Sequence, residues 1–196
     1  MIKTTLAAAA LLFAAPFALA EEAAPAEMTV SGGPVIGELA PTFSAVTSAG
    51  ETVDLAAISD ANGAVIVFSR SLDWCPYCKK QALELEDVAD ELAAAGWDLS
   101  LITYDSTDTL TAFGTEKSLT YTLLSDTNSA MIDAFNLRNT DVTSGSRFDG
   151  IPYPAIVFIS ADGIVRGVQK EDGYKTRPPS EGLPQLVALL NAGTPE

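Results

Sequence analysis

A chain of 196 residues that is 47% hydrophobic can bury the core of a single domain, which excludes a disordered or collagen-like polymer. Its formal charge of −15 sets it against nucleic acid and anionic lipid surfaces. It contains no histidine, which removes His-ligated zinc and the Ser-His-Asp and Cys-His catalytic pairings together.

The chain opens with Lys3, an apolar run from Leu6 to Ala15, a break at Pro16 and Ala18-Leu19-Ala20 before two glutamates. Residues 1–20 read as a secretory signal peptide cleaved after Ala20. The apolar run stops well short of the ~20 residues of a spanning helix, which weighs against the competing reading of an uncleaved anchor. No later stretch could span a membrane, and losing Lys3 leaves the mature chain still more acidic. The expected location is the periplasm of a Gram-negative bacterium, an oxidising compartment where disulfides persist.

Residues 21–34, rich in Ala, Glu, Pro and Gly, read as a flexible leader, and a single domain is expected over 35–192 with a tail at 193–196. Phe43, Ala45 and Val46 suggest a short strand that returns as Thr52-Val53-Asp54-Leu55, an N-terminal β-hairpin. After the turn Asp60-Ala61-Asn62-Gly63, the run Ala64 to Phe68 is a buried strand. Ala82, Leu85, Val88 and Leu92 repeat at helical spacing, predicting a helix from about Pro76 to Ala95 that stops at Gly96. A strand over Trp97 to Tyr104, a helix over Thr107 to Lys117 capped by Ser106, and a strand over Tyr121 to Leu124 follow. Ser125-Asp126 can cap a helix carrying Met131, Ile132 and Phe135, and Arg138 to Gly150 is a polar loop. A hairpin follows, with strands Pro154–Ile159 and Ile164–Val168 around Asp162-Gly163; Glu171 to Pro179 is a charged loop, and Leu186, Val187, Leu189 and Leu190 mark a last helix. Strands separated by helices imply an α/β fold, a central mixed sheet flanked by helices.

The only two cysteines, Cys75 and Cys78, stand between a strand and a helix in Trp74-Cys75-Pro76-Tyr77-Cys78. Residues three apart face each other on a helix, and unpaired N–H groups at its start stabilise a thiolate. Cys75 is expected as the exposed nucleophile and Cys78 as the thiol that resolves it. A static staple is the bland reading, but a four-residue ring stabilises by only ~1.9 kcal/mol against ~4.7 for a hundred-residue one. Metal binding lacks a second ligand pair, so neither a metal nor an organic cofactor is expected. Asp73 reads as a solvated turn residue and Lys79 and Lys80 as surface charges. Tyr174, Lys175 and Arg177 have no specific support as a binding site.

Several segments resemble, in order, the redoxin branch of the thioredoxin superfamily, the alkyl hydroperoxide reductase/thiol-specific antioxidant group. Val35-Ile36-Gly37-Glu38-Leu39-Ala40-Pro41-Thr42-Phe43 resembles its opening, Trp74 to Cys78 the W-C-x-x-C centre, and Leu123-Leu124-Ser125-Asp126 a peroxiredoxin L-L-S-D. The resemblance implies a thioredoxin-like fold with Cys75 attacking and Cys78 resolving. It implies a cis Tyr153-Pro154 bond packed against the disulfide, and a substrate surface of Trp74, Pro76, Tyr77, Tyr153 and Pro154. Two departures stand out. Phe68 and Leu72 occupy the positions of the proline and the peroxide-polarising threonine of main-type peroxiredoxins, and Ser69 replaces a buried acid of thioredoxins. The first reading is therefore dithiol–disulfide exchange with protein substrates. A thiol-dependent peroxidase with an unidentified thiol reductant is the enzymatic alternative, and an exported binding module with a static disulfide the non-enzymatic one.

Overall fold

The computed structural model describes residues 32–193. The expected signal peptide, most of the leader and the extreme C-terminus lie outside the described residues. Seven strands and four helices follow one another as β1 (Ala45–Thr47), β2 (Thr52–Val53), β3 (Gly63–Phe68), α1 (Pro76–Ala94), β4 (Trp97–Thr103), α2 (Thr107–Lys117), β5 (Thr122–Ser125), α3 (Ala130–Ala134), β6 (Ala155–Ser160), β7 (Val165–Lys170) and α4 (Leu183–Asn191). The strands form one sheet in the order β2-β1-β5-β4-β3-β6-β7. The centre, β3 with β4 and β4 with β5, is parallel; β6 runs antiparallel to β3, and β1–β2 is the expected N-terminal hairpin. This is the mixed α/β, thioredoxin-like architecture expected from the sequence.

The central strand β3 is buried along its whole length, as its unbroken apolar run requires. Its side chains alternate between two cores. Val65 and Val67 join Ala82, Leu85 and Leu92 of α1, Leu110 of α2 and Val187 of α4 on one face. Ala64, Ile66 and Phe68 meet Met131, Ile132 and Phe135 on the other. Each fully buried Leu or Ile contributes roughly 1.5–3 kcal/mol, so α1, with Leu85 and Leu92 fully buried, is held mainly by this face. Its far side carries Asp87, Asp90 and Glu91 in solvent. Gly96, at φ 78°, ends the helix in the left-handed region.

Two sequence expectations shift, and one short element is new. The helix around Met131 starts one turn later than the Ser125-Asp126 cap implies, with Ser129 preceding it; Asp126 still serves it, accepting the Ile132 N–H at 2.9 Å. A short 3-10 turn at Ala56–Ile58, unmarked by periodicity, leads out of β2. The Tyr153–Pro154 bond is trans, like every other peptide bond among the described residues. Pro154 precedes the first ladder residue of β6, so no ladder bond needs its missing N–H. Its carbonyl instead accepts the Glu171 N–H at 2.9 Å.

Candidate active site

The loop from β3 to α1 is shaped from a distance by Asp105, at the exit of β4. Its carboxylate accepts bonds from Ser71 Oγ (2.8 Å), the Leu72 N–H (2.6 Å) and Thr103 Oγ1 (3.0 Å). Ser71 Oγ in turn accepts the N–H groups of Asp73 (3.0 Å) and Trp74 (3.3 Å). One buried carboxylate thus fixes the backbone through Trp74, immediately before Cys75. Burial raises the Asp105 pKa, against the opposing pull of these hydrogen bonds. The folded chain therefore holds that proton more tightly than the unfolded one. Stability from this group falls as pH rises from the ordinary carboxylate value through the raised one. Asp105→Asn should remove that part of the pH slope. Asp105→Ala should cost about 2–3 kcal/mol by orphaning buried donors, read as a lower urea midpoint with an unchanged m-value.

Cys75 is the residue before the first turn of α1, and Pro76 opens that turn. The Cys78 N–H points at Cys75 Sγ at 3.3 Å. The two cysteines are joined as a disulfide across a Cα separation of 5.3 Å, with α1 intact from Pro76 onward. Both are buried, Cys75 at 1% and Cys78 at 0% exposure, so the expectation of an exposed nucleophile does not hold. What covers them is the segment after β7. Arg177 Nη2 lies 3.2 Å from Cys75 Sγ and 3.0 Å from Cys78 Sγ. That strap is fastened by Arg70 and Gln81. The Arg70 guanidinium donates to the Tyr174 carbonyl and sits 5.9 Å from the Trp74 ring and 6.0 Å from the Tyr174 ring. Gln81 Nε2 donates to the Pro178 carbonyl at 3.1 Å. Among the described residues neither Arg70 nor Arg177 forms an ion pair, and the Nε of each is buried without a partner. Burial, and then the like charge of Arg70, push Arg177 down to about 10, which leaves it charged at neutral pH. An uncompensated cation resting on two sulfurs, beside a helix N-terminus, favours a thiolate there. Among the described residues, no three His, Cys, Asp or Glu side chains cluster as metal ligands.

The sequence profile of the AhpC/TSA family matches residues 36–168. The chain belongs to the AhpC/TSA family. Peroxiredoxin Bcp of Escherichia coli K12 is 34% identical over 141 residues, covering 71% of this chain and 86% of that protein. A putative peroxiredoxin bcp of Coxiella burnetii is 29% identical over 143 residues, covering 71% and 92%. Two solved structures share the fold. Peroxidoxin BcpB from Mycobacterium tuberculosis has a TM-score of 0.66 at 21% identity, over 82% of this chain and 98% of its own. A peroxiredoxin-like protein from Aquifex aeolicus has a TM-score of 0.69 at 20% identity, over 82% and 90%. Membership of the AhpC/TSA family makes the chain a thiol-dependent oxidoreductase, an enzyme.

Within this AhpC/TSA chain, the expected surface residues divide. Trp74 is half-buried at the rim, its Nε1–H donating to Tyr104 Oη at 2.9 Å and its ring 4.7 Å from Phe148. Pro76 and Tyr77 are exposed over the first turn of α1, and Asp73 is the solvated residue expected of it. Tyr153 is occupied elsewhere: its hydroxyl bonds Asp141 at 3.0 Å, and Lys170 lies 4.5 Å from its ring. Pro154 is buried, and it anchors the start of the strap through Glu171; the group seated on the disulfide is Arg177. Leu72 and Phe68 are core residues, and Ser71 Oγ is committed to Asp105. Sequence reasoning passed over Asp105 and found no specific support for Arg177 as a binding residue. Arg177 is about a hundred positions from the sulfurs it touches, and no local spacing marks that contact.

Proposed function

We propose that this chain is a thiol-dependent peroxidase in which Cys75 attacks peroxide and Cys78 resolves the product. The observation that carries it is the Arg177 guanidinium on both sulfurs, unpaired with any described carboxylate. The first reading, disulfide exchange, leaned on the missing threonine at position 72. Arg177 supplies the polarising donor and positive charge that Leu72 cannot, and the named relatives are peroxiredoxins. The Cys75 thiolate attacks one peroxide oxygen, the O–O bond breaks, and the leaving alkoxide or hydroxide takes a proton. Cys75 is left as sulfenic acid. The Cys78 thiolate then attacks that sulfur and forms the disulfide, and the expelled hydroxide takes a proton and leaves as water. Two external thiols reopen it by exchange, the half of the cycle closest to the first reading.

The test follows peroxide consumption and protein-disulfide reduction side by side on the mature chain. Peroxide turnover dependent on Cys75 is expected. Fast Cys75-dependent disulfide exchange with no peroxide consumption would restore the exchange reading, and activity in neither assay would favour a binding module.

The reading includes export, supported by Lys3, the apolar run and Ala18-Leu19-Ala20. N-terminal sequencing of the periplasmic fraction should find Glu21 first. A full-length chain confined to the cytosol would reject it.

A further inference from the structure

A polar cleft of about 270 Å³ lies beside the strap, lined by Tyr77, Lys80, Lys175, Arg177 and Ser180 among others. It reaches the disulfide through Arg177, whose Nη2 touches both sulfurs. Two carboxylates also line it. Glu84 is paired with Lys80, and Glu181 acts on the same lysine. Lys175 and Arg177 form no ion pair among the described residues. The wall also holds Ser180, 3% exposed, and among the described residues neither its hydroxyl nor the Arg177 Nε has a partner.

The charge pattern is unusual for this chain. It has 11 basic residues and a net charge of −15, yet three of them, Lys80, Lys175 and Arg177, line this cleft against the two carboxylates of Glu84 and Glu181. At physiological salt the Debye length is about 8 Å, so a ligand in the cleft feels these cations more than the acidic surface beyond. The cleft is near the small end of ligand sites, which run from about 300 Å³. That suits a molecule of a few residues' size better than a protein surface.

We propose that this cleft receives a small thiol bearing carboxylates, of the glutathione kind, as the electron donor that reopens Cys75–Cys78. The proposal rests on the reading of that disulfide as one that opens and closes in turnover. The carboxylates meet Lys175 and Arg177, drawing the guanidinium off the sulfurs and uncovering them. The donor thiolate attacks one cysteine sulfur, the Cys75–Cys78 bond breaks, and the other cysteine leaves as thiolate. A second donor thiolate attacks the donor's own sulfur in the mixed disulfide. This releases the donor disulfide and the second cysteine thiolate. Two donor thiols are oxidised, one protein disulfide is reduced, and the two donor protons pass to solvent or to the cysteines.

The test uses the oxidised mature protein without peroxide, so it stands whether or not the peroxidase reading does. Trp74 fluorescence reports disulfide opening under excess glutathione (anionic), 2-mercaptoethanol (neutral) or cysteamine (cationic), with each rate corrected for thiolate fraction. Glutathione is expected to react fastest and to slow as salt rises. Lys175→Glu should slow glutathione about tenfold and the neutral thiol less than about twofold, the signature of a rim charge acting on association. Arg166→Glu should change neither rate. It lies on β7 near the Gly63–Ser160 end of the sheet, opposite the Phe68–Ala155 end that leads to Cys75. Equal corrected rates for all three thiols would overturn the proposal. So would a Lys175→Glu variant that slows all three alike, or reduction only by a protein dithiol.

Discussion

Cys75→Ser is expected to lower peroxide consumption by about 10⁴-fold or more, roughly 5.5 kcal/mol of barrier, while Cys78→Ser stops after one turnover. The asymmetry follows from where each sulfur sits. Cys75 precedes the first turn of α1 and receives the Cys78 N–H, with Arg177 against its sulfur. A serine there has a hydroxyl that these groups do not ionise at neutral pH, and its oxygen has no route to a sulfenic acid. Cys78 is one turn into the helix, and its replacement leaves the attack on peroxide in place. Its loss should therefore leave Cys75 as a sulfenic acid that dimedone traps in stoichiometric amount, with no intramolecular disulfide. Mass spectrometry after a single peroxide pulse reads both states. A Cys78→Ser protein that neither consumes one equivalent of peroxide nor takes up dimedone would assign the attack to Cys78, or remove peroxide chemistry from the site altogether.

The parts of the molecule set by local pattern were legible in the sequence. The periodicity of Ala82, Leu85, Val88 and Leu92 places α1 to within a residue of its observed end, and Ser106 caps α2 where expected. The continuous apolar run Ala64 to Phe68 is the central strand because both its faces are covered. What local pattern does not carry is the lid. Glu171 to Pro179 has no hydrophobic period, so it reads as a plain charged loop, yet it places Arg177 on the disulfide and seals Cys75 from solvent. Asp105 is hidden for a similar reason. A single acid after a strand looks like a turn residue until the topology sets β4 beside β3 and brings the carboxylate under Ser71 and Leu72. The expected cis-proline failed differently. It came from a resemblance at Pro154, whereas in this chain the position facing the sulfurs is filled from the strap.

Arg177→Met should separate a functional guanidinium from a structural one, because the two roles predict opposite signs. The guanidinium is partly buried, and no described carboxylate compensates it. Burial and Arg70 both press it toward losing its proton. A buried, unpaired charge costs stability, and an apolar residue of similar length in its place is often neutral or stabilising. Methionine keeps the apolar stem against the strap and removes only the cation, so the urea midpoint of the oxidised protein should hold or rise. Activity should move the other way. Without the cation, the Cys75 thiolate loses its nearest positive partner, and the midpoint of iodoacetamide alkylation should climb toward the ordinary thiol value of about 8.5. On the proposed role of Arg177 as the donor that polarises peroxide, its loss should cut peroxide consumption by about 10²–10³-fold, the usual effect of removing one preorganised stabilising donor. Arg177→Lys retains a point charge but not the planar fork. It should restore the alkylation midpoint more fully than the peroxide rate, dividing thiolate stabilisation from polarisation of the substrate. A methionine variant with unchanged rate and unchanged midpoint would show that the guanidinium covers the sulfurs without acting on them. One whose rate and stability fall in parallel would show that Arg177 only pins the strap.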